Sequence, residues 1–294
     1  MIQYLYLGRI AYDEGLRLQA EIAALVGAGR LKNVLLLLEH PAVLTLGRNA
    51  KRANVLASDE LLAARGVSLH QINRGGDVTY HGPGQLVGYP IFNLRSLRGP
   101  SGGRMGAVDF VRGMEEALIR LCAGFGVNAG RIAGMTGVWI GQGTRNREQG
   151  TGNEKQGPGS EGRGTSDLQN GPGRKIGAIG IHVARGVTSH GFAFNVTTNL
   201  RDFELIVPCG IRDHAVTSLE REVDAGVELP GLEAVADATA RQFGMVFGEH
   251  VLAVENLVAL RAIAAREFPA DDTPLRVPAE VERLLGEFER PVRG

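Results

Sequence analysis

The chain reads as an α/β protein with mixed sheets. Three observations carry that reading. Short apolar runs of strand length, such as Val34–Leu38, are bounded by turn residues. Longer segments of helical period stand between them, at Tyr12–Val26, Val108–Phe125 and Leu232–Phe247. Hydrophobic residues make up 44% and charged residues 22% of 294 residues, which is enough apolar material for a sizeable core in one large domain or two small ones.

Residues 2–7 alternate loosely and read as a strand. Tyr12–Val26 carries Leu16, Ala20 and Ala23 at helical spacing and stops at Gly27 and Gly29. Asn33–Arg48 reads as a buried strand, a turn at Pro41 and a second strand. Leu61–Arg65 fits a short helix closed by Gly66, Leu69–Asn73 a strand running into a glycine turn, and Gln85–Leu94 another strand. Val108–Phe125 places Phe110, Met114, Ala117, Leu118 and Leu121 on one helical face, with Cys122 beside it as a buried core thiol. Gly137–Ile140 is a strand around the single tryptophan. Lys175–Ala184 and Gly191–Thr198 are two strands paired through an Arg185–His190 connection, and Leu232–Phe247 is a helix.

Gly141–Gly173 is different in kind. It is built almost wholly of Gly, Gln, Asn, Glu, Arg, Ser, Thr and Pro, with Leu168 its only large apolar residue. Such a stretch buries too little surface to offset its ordering entropy. It is expected to be a disordered insertion in a hairpin-like connection, interrupting one domain of residues 1–248. A helical extension is expected over 249–294.

Several function classes are excluded early. Thirty-two basic residues balance 32 acidic ones, so the overall basic field of a nucleic-acid binder is missing. Two cysteines, Cys122 and Cys209, make no disulfide framework and favour a reduced, cytoplasmic setting. Met1–Gly15 has no basic, apolar leader pattern, and the longest apolar run is far below the roughly 20 residues of a membrane span. There is no phosphate-binding P-loop, no GxGxxG following a strand, and no CxxC, HxxxH or HExxH metal spacing. Neither cofactor nor metal is expected.

Two places carry chemistry. Arg74–Gln85 reads RGGDVTYHGPGQ. Gly75 and Gly76 permit close backbone approach to a ligand, Gly82–Gly84 set a second turn, and Thr79, Tyr80 and His81 supply polar groups between them. Taken alone, a glycine-rich hairpin would look the same. The second place is Cys209, between Pro208 and Gly210, on a rigid turn that suits a reactive thiol better than the helical Cys122. A thiol attacks as thiolate, so a neighbouring cation or base is needed. Lys175, at the start of a strand of small and apolar residues, is one candidate, and His182 and His190 are others.

The order LLLLEHPAVLTLGR, RGGDVTYHGPGQLVGYPIFNL, TGVWI, RKIGAIGIHV, SHGFAFNVTTNL, IVPCGI, VTSL resembles the octanoyltransferases of protein lipoylation, over roughly residues 1–220 apart from the insertion. The resemblance implies the catalytic fold of biotin protein ligases and lipoate ligases, with a larger and a smaller mixed sheet flanked by helices. It implies transfer of an octanoyl group from octanoyl-acyl carrier protein to a lysine of lipoyl domains, through an acyl-thioester on Cys209, with Lys175 lowering the thiol pKa. The implied protein partners are the lipoyl domains of 2-oxo-acid dehydrogenase E2 subunits and the glycine cleavage H protein. The implied substrate-binding residues are Arg74, Gly75, Gly76, Asp77, Val78, Thr79, Tyr80 and His81, then Ala178, Ile179 and Gly180, then Gly191, Phe192 and Ala193. Arg48, Lys51, Arg52, Arg95, Arg98 and Arg104 offer a docking surface for acidic partners, or are scattered solvated charges. The competing readings are an ATP-dependent lipoate or biotin ligase on the same fold, and a non-catalytic module binding acyl groups or lipoyl domains. His182 stands where the family pattern has a basic Arg or Lys, and the insertion lies directly before Lys175.

Overall fold

The structure, a computed structural model, describes residues 1–141, 173–207 and 215–266. The expected insertion, apart from its two end residues, lies outside the described residues. So do Cys209 and the chain beyond Arg266.

The elements follow in order as β1 (Ile2–Arg9), α1 (Tyr12–Gly27), β2 (Asn33–Glu39), β3 (Val43–Leu46), α2 (Asp59–Ala64), β4 (Ser68–Gln71), β5 (Val78–His81) and β6 (Gln85–Ile91). Then come α3 (Ala107–Gly124), β7 (Gly130–Ile132), β8 (Met135–Ile140), β9 (Arg174–Ala184), β10 (Val187–Asn195), α4 (Leu219–Glu222), α5 (Leu232–Phe247), β11 (Val251–Ala253) and α6 (Leu257–Arg266). Among the described residues they form an eight-stranded sheet, ordered β11-β1-β2-β6-β10-β9-β8-β7, and a three-stranded sheet, ordered β4-β3-β5. Both sheets are mixed: β1 runs parallel to β2 and β11, β3 runs parallel to β4, and the remaining pairs are antiparallel.

β2 explains the layering. Its residues are all buried because helices cover both faces of the large sheet. Leu35 and Leu37 join a core with Phe110, Met114 and Leu118 of α3 and Phe243 of α5. Val34, Leu36 and Leu38 point the other way, into a core with Leu18 and Ile22 of α1 and Leu260 of α6. A buried leucine stabilises by about 1.5–3 kcal/mol, so this run anchors both cores.

The turn at Pro41 does not fold β3 back onto β2. It carries the chain into the small sheet, whose own core joins Leu44, Leu46, Val78 and Tyr80 to Leu200, Phe203 and Leu205 of a 3-10 turn. The β9–β10 connection is tighter than the sequence suggests. Ala184 pairs with Val187, leaving the two-residue loop Arg185–Gly186 with φ of 53° and 88°, a type I′ turn.

Candidate active site

A cavity of about 220 Å³ opens where the small sheet meets the middle of the large one. Ligand pockets commonly run to roughly 300–1,000 Å³, so this one suits a small ligand. Of the sequence-predicted residues, Arg74, Gly75, Gly76, Asp77, Thr79, His81, Lys175, Ala178, Ile179, Gly180, Gly191, Phe192 and Ala193 all line it. Val78 and Tyr80 do not; they turn into the small-sheet core. The cause is that VTYH is a strand, β5, paired with β3, so neighbouring side chains take opposite faces.

Arg74 builds the loop. Its guanidinium donates to the Thr45 carbonyl at 2.9 Å, to Thr45 Oγ1 at 3.0 and 3.3 Å, and to the Gly75 carbonyl at 3.0 Å. The loop then rests on β9, with the Gly75 N–H donating to the Ile181 carbonyl at 3.1 Å. Contact is so close that a Cβ on Gly180 would sit 2.7 Å from the Gly75 carbonyl oxygen. Glycine at 180 is therefore a packing requirement.

β9 carries Lys175, which is 9% exposed. Lys175 and Ala178 are three residues apart, a spacing that puts side chains on opposite faces of a regular strand. A bulge removes the conflict: Val138 pairs with Gly177, yet Trp139 pairs with Lys175, leaving Ile176 as the extra residue. Lys175 thereby reaches the cavity while Ile176 stays in the core. The Lys175 Nζ stands 4.6 Å from the Trp139 ring centroid, within range for cation–π attraction. Its backbone is clasped as well: the N–H donates to the Ala215 carbonyl at 2.8 Å and the carbonyl accepts from Thr217 at 2.9 Å. At the other end of the stretch holding Cys209, the Val207 N–H donates to the Asn54 carbonyl at 2.7 Å.

The histidines at the cavity are neutral. Burial pushes His81 down to about 3 and His190 down to about 4. His81 Nδ1 donates to Gln85 Oε1 at 2.8 Å. Gln85 in turn donates to Asn195 Oδ1 at 3.0 Å, and Asn195 to the Thr217 carbonyl at 2.9 Å. This chain of bonds ends on the residue that clasps Lys175. His190 has a φ of 56°, uncommon for a residue with a side chain. Its backbone N–H donates to Gln19 Oε1 and its Nε2 bonds Asn73 Oδ1, both at 2.7 Å. Cys122 is fully buried on α3, and burial raises its thiol pKa far out of the reactive range.

Tyr12, Val87, Tyr89, Gly134, Met135 and Thr136 also line the cavity, and sequence reasoning missed them. Tyr12 and Tyr89 look like core aromatics by position. The short β7–β8 hairpin that presents 134–136 has no periodicity to announce it. The lining thus combines apolar side chains of Val87, Ile179, Phe192 and Met135 with the polar ones of Arg74, Thr79 and Lys175. That is a place for a small ligand with an apolar part, beside a lysine.

The two sheets, their helical covers and this cavity define an α/β domain of the lipoate-ligase fold. The chain matches the bipartite lipoate protein ligase of Thermoplasma acidophilum with a TM-score of 0.60, at 16% identity over 91% of each chain. The family model for the lipoyl protein ligase A/B catalytic domain matches residues 11–244, and the chain belongs to that family. It is 56% identical to the octanoyltransferase of Acidobacterium capsulatum over 87% of this chain and 94% of that protein. It is 45% identical to the octanoyltransferase of Koribacter versatilis over 97% of both.

Proposed function

We propose that this enzyme is an octanoyltransferase of protein lipoylation, moving an octanoyl group from octanoyl-acyl carrier protein to a lysine of a lipoyl domain. The observation that carries the reading is the bulge-directed Lys175 in a cavity walled by the RGG loop, in a chain 56% identical to an octanoyltransferase. Lipoyl-domain proteins are the acceptors, with the E2 subunits of 2-oxo-acid dehydrogenases and the glycine cleavage H protein as the specific ones. The setting is cytoplasmic, and no helix among the described residues is long and apolar enough to cross a membrane.

Cys209 is the nucleophile in this reading. The Lys175 ammonium favours its thiolate, which attacks the octanoyl thioester carbonyl. Backbone N–H groups of the glycine-rich loop stabilise the tetrahedral oxyanion. The carrier thiolate leaves and takes a proton from Lys175, and the octanoyl group stays as a thioester on Cys209. The neutral amine of the target lysine then attacks. An amide forms, the Cys209 thiolate departs, and the proton shed by the amine returns to Lys175. The thioester is already activated, so no ATP is consumed. Two features support the scheme: the Lys175 side chain lines the cavity, and its backbone bonds Ala215, six residues past Cys209.

Intact mass spectrometry after incubation with octanoyl-acyl carrier protein tests it. The expected product is a single octanoyl adduct, released by hydroxylamine and absent in Cys209→Ser. Wild-type transfer by Cys209→Ser, or transfer only with ATP and free octanoate, overturns the reading.

A further inference from the structure

Glu115 lies in the middle of α3 and has no solvent exposure. A carboxylate in that position is costly unless it is fully partnered. Its Oε2 accepts Arg112 Nη1 at 2.7 Å and Arg131 Nε at 3.1 Å, while its Oε1 accepts the backbone N–H of Gly137 at 2.9 Å. Arg131, on β7, also donates to Glu116 Oε2 at 3.0 Å and to the Arg112 carbonyl at 3.1 Å. One buried carboxylate thus ties the helix to both strands of the β7–β8 hairpin.

The backbone group it holds is next to the lysine. Gly137 has a φ of 123°, closed to other residues. A Cβ there would lie 2.6 Å from the Gly177 carbonyl oxygen and 3.5 Å from Lys175 Cε. Gly137 is followed by Val138 and Trp139, the pair that defines the β9 bulge and carries the ring under Lys175. An apolar side chain at 115 would strip Arg112 and the largely buried Arg131 of a carboxylate partner. It would leave the Gly137 N–H buried without an acceptor.

We infer that Glu115 is a positioning residue: from α3 it fixes Gly137 and the β8 register, and so aims the Lys175 ammonium into the cavity. The inference rests on the proposed role of Lys175.

The test compares Glu115→Ala, Glu115→Gln and Lys175→Ala in octanoyl transfer from octanoyl-acyl carrier protein to a lipoyl domain. Emission of the single tryptophan serves as a second readout. A displacement of the order of 1 Å at a reacting group costs roughly 100-fold, so Glu115→Ala is expected to lose at least about tenfold in kcat. KM for the lipoyl domain is expected to stay within about twofold, and the Trp139 emission to shift as it does in Lys175→Ala. Glu115→Gln keeps an acceptor for Gly137 and is expected to restore most of the rate and the wild-type emission. If Glu115→Ala does not fold, Arg131→Met, which strips one partner from Oε2, is expected to lower kcat at constant KM. Wild-type kcat and emission in Glu115→Ala, or in Arg131→Met if only that variant folds, overturn the inference. So does an equal loss in Glu115→Gln with KM rising in step. A fully active Lys175→Ala would instead sink the proposed function.

Discussion

Arg74 spends its charge on the protein's own backbone, fixing Thr45 and Gly75 with a planar fork that a lysine does not reproduce. Arg74→Lys is therefore expected to destabilise by about 1.5–3 kcal/mol, the range for hydrogen bonds to charged groups, as read by urea unfolding. It should also lower kcat/KM. Gly180→Ala acts on the same loop from below. Its methyl meets the Gly75 carbonyl oxygen, a backbone atom with no rotamer to yield. The expected result is a raised KM for the acyl donor in a folded protein, checked by steady-state kinetics beside circular dichroism; unchanged KM would contradict it. The loop itself was legible in sequence, because Arg, Gly, Gly, Thr and His in one short polar stretch is unusual. What was not legible was which side chains line the cavity. Reading 78–81 as part of a turn hid a strand, and only the strand's alternation separates Thr79 and His81 from Val78 and Tyr80.

At the scale of elements, long periodic segments were read correctly: α1, α3, α5, β2 and β9 fall where the apolar spacing puts them. The failures are short or sequence-neutral. β7 and β11 have three residues each, too few for any period, and β11 lies where a helical extension was expected to begin. The turn at Pro41 gives no sign that it changes sheets. The bulge at Ile176 also leaves no mark in the sequence. β8 and β9 pair up to Ile140 and Arg174, so the two ends of the 142–172 stretch are already neighbours. We propose that this stretch is an insertion in a hairpin and that a four-residue turn can replace it. Loop closure costs about 0.6 kcal/mol per doubling of length. The shortened chain should therefore gain about 2 kcal/mol, seen as a higher thermal midpoint with octanoyl transfer kept. Loss of folding would show that the stretch belongs to the domain.

For the molecule as a whole, acid sensitivity follows from its buried histidines. His40 and His190 are pushed down to about 4 and His81 to about 3, each chiefly by burial. The unfolded chain binds protons at these sites from about pH 6.5 downward and the folded chain does not. Their contribution is complete above about pH 6.5 and is lost as pH falls toward 4. Urea midpoints measured across that window should drop, and less so in His40→Gln; equal slopes would refute the assignment. β11 bears on the whole molecule in another way. It lays Val251–Ala253 along Ile2–Tyr4 and covers the outer side of β1, with the Ile2 N–H donating to the His250 carbonyl and the Val254 N–H to the Tyr4 carbonyl. A chain cut at 248 would present that row of amides and carbonyls to solvent beside apolar side chains, a template for self-association. Such a truncation is expected to lose solubility before it loses secondary structure, with light scattering rising on concentration. Among the described residues, the strand at that edge of the sheet is only three residues long, a short template for another copy.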